Sequence, residues 1–591
     1  MKKKFFEIKE KTYGKVILKF LAILSFIFIL ITIILIDINS PAKGYEISIY
    51  SSLPKLIWIF LISSIVIGIG IICHQSFTRS KNNFWFLGFL ILITVNFIIL
   101  SLQFFRGYYI YSYSDPIAHL FRTSSIVSKG YFWDNYYPIT HIIGAVLIEV
   151  CNLLPETVIK YLPVMFTILS IIFTYLLSTV IFSKKGYVML SAAAGTVLLF
   201  SYYHLSVYPH GLSLLAFPLL FYLFFKSSNT QSLNMKIALL VVLFLFPFFH
   251  PTPQVIIVFC LIVSVIINWI WVKRSHLEEE VNNITFNPAL ISLATFFLWI
   301  SYFSVFETTA KFLFKWTYGE LPILLRSPEI QPVAELELKR QIEILIKMYG
   351  HNMIFIALSL IALLITTIYF FKRKRESMNI FNISILFVTS SVVYFFLFLN
   401  IAYLPWGRML GANVGIWATP LLVGFVLYET FKKYIKTGII ISLTILSIAF
   451  IISIFSIYRS PWIYQPSWQV TQMDIKGSNW LNLNKNSEFQ YAPMGWTGGY
   501  YHWYYHLPGN FGYPEYKSIG SYIPRITYIA LTERFKQASS DPDLKKQLLM
   551  SPDLARTDFN IEDFDMLEQD LSVNKLYSNE EFNVFLVIPN K

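Results

Sequence analysis

Thirteen nearly uncharged apolar stretches recur along the chain, at 16–36, 54–73, 84–103, 161–182, 187–203, 211–226, 236–249, 253–271, 288–304, 351–371, 379–400, 412–430 and 437–457. Most approach the roughly 20 residues a helix needs to cross a bilayer. The shorter ones require tilt or local thinning. A further stretch, 139–154, is short and carries His141 and Glu149. Beyond 457 the pattern changes. Asn, Asp, Glu, Gly and Pro become common, and the alternation Phe582-Asn583-Val584-Phe585-Leu586-Val587 predicts a strand. Segments 525–536 and 541–549 predict helices. No internal repeat or low-complexity linker separates the two regions. The expected organisation is a transmembrane domain over 1–457 and a small mixed α/β domain over 458–591.

Loop charge orients these spans, because lysine and arginine collect on the cytoplasmic side. Lys2, Lys3, Lys4, Lys9, Lys11 and Lys15 place the N-terminus inside. Alternation puts Arg79 and Lys81 inside as well. Lys184, Lys185, Lys226, Lys236, Lys273, Arg274, the run Lys372 to Arg375, and Lys432, Lys433 and Lys436 follow only if 139–154 does not cross. That stretch is therefore expected to be re-entrant or surface-lying. The resulting map has about 13 spans, a cytoplasmic N-terminus, and an extracytoplasmic C-terminal domain. Two long loops, 104–160 and 305–350, fall outside. The run from Val16 to Ile36 lacks a small-residue cleavage site before Asp37, so it reads as an anchor, not a cleavable signal.

Composition supports the membrane reading and removes other classes. Hydrophobic residues make up 55% of the 591 and charged ones 14%, against roughly 25% charge in soluble proteins. The net charge of +13 sits in the loop clusters that set topology, so it does not indicate nucleic acid. Cys73, Cys151 and Cys260 offer neither a disulfide framework nor zinc spacing. No Walker loop or dinucleotide fingerprint occurs, so nothing indicates ATP or nicotinamide use.

Candidate chemistry gathers in the outer loops. Asp115, followed by Pro116, can act as a general base on a hydroxyl, or can simply start a helix. His119 and Asp134 lie in the same loop as candidate substrate contacts. Arg408, in Pro405-Trp406-Gly407-Arg408, offers a guanidinium for a phosphate, or snorkels at the interface. Arg326 is a second phosphate candidate. His204, His210 and His250 fall at outer ends of spans, with His250 held in a His-Pro-Thr-Pro turn. With Asp115 they could bind a metal, contact substrate, or be satisfied by backbone. Glu307 is a possible second carboxylate. The aromatic run around Trp496 can stack on sugar rings or pack a core.

The order of features in the first outer loop resembles the GT-C membrane glycosyltransferases. It runs from Asp115 through the helix at Pro116, the Gly130-Tyr131 turn and Tyr137-Pro138 to the amphipathic stretch 139–154. Gly477-Ser478-Asn479-Trp480-Leu481 and Asn574 to Asn579 are similar to segments of such tails. Many members carry two nearby acidic residues in this loop. Here Ser114 precedes Asp115 and the next carboxylate is Asp134, which leaves a divalent metal open. The oligosaccharyltransferase Trp-Trp-Asp motif is absent, so peptide recognition is not carried over. The resemblance implies a plasma-membrane enzyme that moves a sugar from a polyprenyl-phosphate donor to a glycan, lipid or protein acceptor, with inversion. Asp115 would be the base and Arg408 would meet the phosphate. Two other readings remain. One is a polymerase or ligase using a pyrophosphate-linked oligosaccharide. The other is a lipid or solute transporter, against which the scarcity of mid-span charge counts.

Overall fold

The computed structural model describes residues 2–78, 83–112, 115–132, 137–230, 232–275, 287–301, 338–372, 378–400, 414–494, 526–541, 544 and 561–588. Among these, nine helices are long and apolar enough to cross a membrane. Four further apolar helices are shorter: Ile139–Cys151, Leu233–Phe248, Asn287–Ile300 and Gly415–Phe431. Three of these four match expected spans, and the fourth is the stretch expected not to cross.

The first three long helices are α1 (Lys2–Ile38), α2 (Lys55–Phe77) and α3 (Trp85–Phe105). Helices α2 and α3 touch through glycines. A Cβ on Gly88 would lie 2.6 Å from the Gly68 carbonyl, so only hydrogen fits there. After α3 the chain forms a two-residue strand β1 (Ile110–Tyr111), then α4 (Asp115–Lys129), α5 (Ile139–Cys151) and the long α6 (Pro155–Ile181). Helix α5, with its 13 residues, is about 20 Å long, short of the roughly 30 Å hydrocarbon core. It begins beside His119, and α6 follows within four residues. The first turns of α6 lie against the end of α3: Lys160 donates to the Tyr108 carbonyl at 2.9 Å, and Tyr161 stacks on Phe104 at 3.6 Å. Helix α5 therefore starts and finishes at one end of the bundle.

The expected span 187–203 is not one helix. Helix α7 (Lys185–Ala194) stops at Gly195, and a single 3-10 turn follows at Ser201–His204. The reason is packing. Residues 186–194 are all buried, and a Cβ on Gly424 would lie 2.4 Å from the Ser191 backbone nitrogen. The helix is wedged inside the protein and need not cross. Irregular backbone at this depth is tolerated only where protein covers it. The path continues through α8 (Pro209–Leu215), α9 (Phe217–Thr230), α10 (Leu233–Leu245), α11 (Pro251–Ser275) and α12 (Asn287–Ile300). Next come α13 (Leu338–Phe371), α14 (Met378–Asn400), α15 (Thr419–Phe431) and α16 (Ile435–Ile457). Helix α13, at 34 residues, begins well before the expected span at 351, so residues 338–350 are helix and not loop.

The C-terminal region pairs strands β3 (Gln490–Met494), β4 (Thr527–Thr532), β5 (Val573–Ser578) and β6 (Phe582–Val587) in the order β3-β4-β6-β5. Strands β3 and β4 are parallel and the other pairs antiparallel. The helix expected over 525–536 is instead strand β4, followed by helix α18 (Glu533–Ser540). The sheet interior explains the difference: all six β4 residues are buried, so the segment pays no attention to helical periodicity. Ile529 and Leu531 face Phe535 and Phe564, while Tyr528 and Ala530 face Leu481 of α17 (Gln472–Asn484). Helices thus cover both faces of this small sheet. Residues 541–549 lie outside the described residues except Asp541 and Leu544. A short strand β2 (Gln469–Val470) pairs antiparallel with β1 and ties this region to the first loop.

Glu46 holds the same end of the bundle together. It accepts from the Arg106 guanidinium at the end of α3 and from the Tyr108 hydroxyl at 2.5 Å. The two charged side chains are 6% and 9% exposed. Removing one partner of a buried pair leaves the other charge uncompensated, which costs about 3–5 kcal/mol. Glu46→Gln should therefore destabilise the protein by about 3 kcal/mol in a chemical unfolding titration. Glu568→Gln, which breaks the exposed pair with Lys575, should cost less than about 1 kcal/mol.

Candidate active site

Helix α4 is the first positioning element. Asp115 opens it and Pro116 follows, a pairing suited to a helix start. His119 lies one turn on, so Asp115 and His119 share a face of α4. Asp115 is half-buried and His119 is 6% exposed.

His119 anchors a chain of rings drawn from four parts of the sequence. Its Nδ1 lies 2.9 Å from Nε2 of His141 on α5. Its ring meets Tyr137 edge-on at 6.4 Å, and Tyr137 lies 5.3 Å from His250. His250 meets His210 at 5.0 Å, and His210 stacks near Tyr394 of α14 at 6.2 Å. The Arg122 guanidinium lies over Tyr137 at 5.9 Å. Three expected site histidines and candidates, His119, His210 and His250, thus come together on the same end of the bundle as Asp115. Tyr137 and His141 join them. Neither has a role legible from sequence, because a tyrosine before proline and a histidine in an apolar stretch carry no motif.

Hydrogen bonds constrain the protons of the His119–His141 pair. His141 bonds the Tyr137 backbone, which favours its protonated nitrogen. Between His119 Nδ1 and His141 Nε2 a neutral pair shares one proton, so one nitrogen donates and the other accepts. Both rings stay neutral. Burial first, then the charges of His141, Arg122 and His250, hold His119 well below the usual histidine value. Burial and then Arg122 push His141 down to about 3.

His204 does not join this group. Phe200 N–H donates to its Nε2 at 3.0 Å, so Nδ1 carries the proton and meets Thr167 Oγ1 at 2.9 Å. Both ring nitrogens are used to brace the turn after α7, and the residue is 4% exposed. Of the remaining candidates, Asp134, Glu307, Arg326, Arg408 and Trp496 lie outside the described residues. Among the described residues no group of three or more His, Cys, Asp or Glu side chains is placed to hold a metal ion.

A second aromatic group adjoins the first. The Ser112 and Tyr208 hydroxyls lie 3.4 Å apart, and Tyr208 packs edge-on against Tyr202 and Tyr203 at 5.4 and 5.3 Å. Tyr203 reaches His210 at 5.9 Å. Strand β1 fixes this layer, since Tyr111 accepts at its hydroxyl from the Arg459 backbone at 2.6 Å and its carbonyl accepts from Ser206 at 2.6 Å.

No family model matches the chain, and no curated protein matches it. Solved structures do. The chain is similar to archaeal oligosaccharyltransferases. The Archaeoglobus fulgidus enzyme in complex with zinc and sulfate aligns at a TM-score of 0.47 and 10% identity, over 84% of this chain and 72% of that one. The same enzyme tethered to an acceptor peptide containing an NVT sequon gives 0.47 and 10%, over 84% and 74%. AglB from that organism with an inhibitory peptide and a dolichol-phosphate gives 0.46 and 9%, over 84% and 74%. Scores and identities this low assign neither a family nor an activity to this chain.

The depressed histidines make stability pH-dependent. An unfolded histidine titrates near 6.5, whereas His141 stays neutral down to about 3. Between those values the unfolded chain binds more protons, so stability is lost as pH falls through that window. Lowering pH from 6.5 to 5.5 should cost about 1 kcal/mol for each such buried histidine. His141→Gln should flatten the melting temperature plotted against pH in this range.

Proposed function

We propose that the chain is a GT-C-type membrane glycosyltransferase of the plasma membrane, acting at the extracytoplasmic face on a polyprenyl-phosphate-linked sugar. The observation that carries this is the convergence of Asp115, His119, Tyr137, His210 and His250 at one end of the helical bundle. The basic loop residues lie at the other end. Helices α6, α9, α11 and α13 run away from the site and finish near Lys184, Lys226, Lys273 and Lys372, while α10 and α16 run toward it from Lys236 and Lys432 to Lys436. By the positive-inside rule the basic end is cytoplasmic and the site extracytoplasmic. The same rule keeps the N-terminus inside and the C-terminal sheet domain outside.

In this reading an acceptor hydroxyl attacks the anomeric carbon from the face opposite the phosphate. The new glycosidic C–O bond forms as the C–O bond to phosphate breaks, with inversion. Asp115 takes the hydroxyl proton, and polyprenyl phosphate leaves with the bonding electron pair. His119 can hydrogen-bond a further hydroxyl of the substrate, and the rings of Tyr137, His210 and His250 give faces for the sugar. Arg408 and Arg326 are the proposed phosphate contacts, Asp134, Glu307 and Trp496 further substrate contacts; all five lie outside the described residues.

General-base catalysis contributes about 10²–10⁴ in rate. Asp115→Asn should lower sugar transfer by that factor in a reconstituted assay with a labelled lipid-linked sugar. An unchanged rate overturns the assignment.

A further inference from the structure

Arg459 follows α16 by two residues and is 5% exposed. Its guanidinium lies 4.6 Å from the Trp468 ring and 5.2 Å from the Tyr202 ring. Stacking of this kind suits arginine, whose charge is spread over a weakly hydrated plane. It leaves the in-plane donors unserved. Nε and Nη1 are both enclosed without a hydrogen-bond partner. Among the described residues Arg459 enters no ion pair. The groups that feel its charge are the phenols of Tyr50, Tyr111 and Tyr349.

The contrast with Arg106 is informative. Arg106 is the C-cap of α3 and Arg459 follows the cap of α16, and both are buried. Arg106 receives the Glu46 carboxylate and the Asn39 carbonyl. Among the described residues none supplies Arg459 with an anion. A buried, unneutralised guanidinium is costly, and enclosed donors without partners add to the cost. That arrangement is stable in a binding site, where a ligand supplies the missing charge.

We propose that Arg459, framed by Tyr202 and Trp468, is an oxyanion subsite that takes a phosphate group. Phosphate matches the planar donor edge of a guanidinium in bidentate fashion. The position also fits, because the end of a span lies at the level of lipid headgroups. The subsite adjoins the candidate active site through the Arg459 N–H to Tyr111 hydroxyl bond, four residues before Asp115. Two sources carry this chemistry: the headgroup of a lipid phosphate and free phosphate. The proposal rests on the glycosyltransferase reading only for the lipid source.

The test uses the full chain in neutral-lipid nanodiscs, titrated separately with polyprenyl phosphate and with inorganic phosphate. Arg459→Gln should weaken binding of the ligand at least tenfold, the loss expected for a charge-assisted hydrogen-bonded contact. Loss with polyprenyl phosphate alone identifies the headgroup. Loss with inorganic phosphate, alone or as well, identifies a site for the free ion. Binding of both ligands unchanged overturns the proposal. If Arg459→Gln does not purify as folded protein, Arg459→Lys decides: it keeps the charge but loses the planar fork, so several-fold weaker binding supports the subsite and unchanged binding overturns it. Asp115→Asn separates the two claims, since it should lower transfer by about 10²–10⁴ while leaving phosphate binding intact. Retained transfer in that variant sinks the catalytic reading without touching the subsite.

Discussion

Everything in this structure follows from the need to satisfy backbone hydrogen bonds inside hydrocarbon. An amide that meets lipid without a partner costs several kcal/mol, so lipid-facing segments must be helical. Among the described residues, nine long apolar helices obey this. The chain departs from it between Gly195 and Tyr208, where α7 stops and the backbone turns. That departure is allowed because surrounding protein supplies partners: His204 accepts from Phe200 N–H, and Ser206 donates to the Tyr111 carbonyl. The broken segment frees Tyr202, Tyr203, Tyr208 and His210 from helical geometry and brings them to one end of the bundle.

That end is where polar chemistry becomes affordable. Glu46 and Arg106 neutralise each other there, and Lys160 caps the Tyr108 carbonyl. The β1–β2 pairing stitches the first loop to the segment after α16, which places Trp468 beside Arg459 and Tyr111 beside its backbone. Helix α4 starts at Asp115, four residues after Tyr111. The ring chain from His141 to Tyr394 extends the same layer sideways. Neutral histidines suit this layer, because burial penalises their charged forms and the short His119–His141 contact needs one donor and one acceptor.

Much of this was legible in the sequence. The long apolar runs located the spans, and loop lysines separated the basic end from the site end. Loop charge took 139–154 out of the spanning set, and α5 is a 13-residue helix, shorter than the nine long apolar helices among the described residues. Asp115-Pro116 offered a helix start, and α4 begins there. The strand Phe582–Val587 followed from alternation. Other features needed the fold. The 525–536 segment reads as helical because a fully buried central strand shows no alternation. Apolar content suggested a span at 187–203, but close packing of Ser191 on Gly424 makes it a short internal helix. For His204 the sequence left metal, substrate and backbone readings open; its two nitrogens are engaged by Phe200 N–H and Thr167. Arg459 resembles any arginine after a span; its isolation depends on Tyr202 and Trp468, one of them more than 250 residues away in the chain.

The central claim is that this end of the bundle handles a lipid-linked sugar. The most direct measurement is a density map of the full chain in nanodiscs with a non-hydrolysable polyprenyl-phosphate sugar bound. The account predicts the sugar within hydrogen-bond reach of Asp115 and His119, flanked by Tyr137 and His250, with the polyprenyl tail leaving between helices into the bilayer. Donor density at the lysine-rich end, or a sugar remote from Asp115, would contradict it.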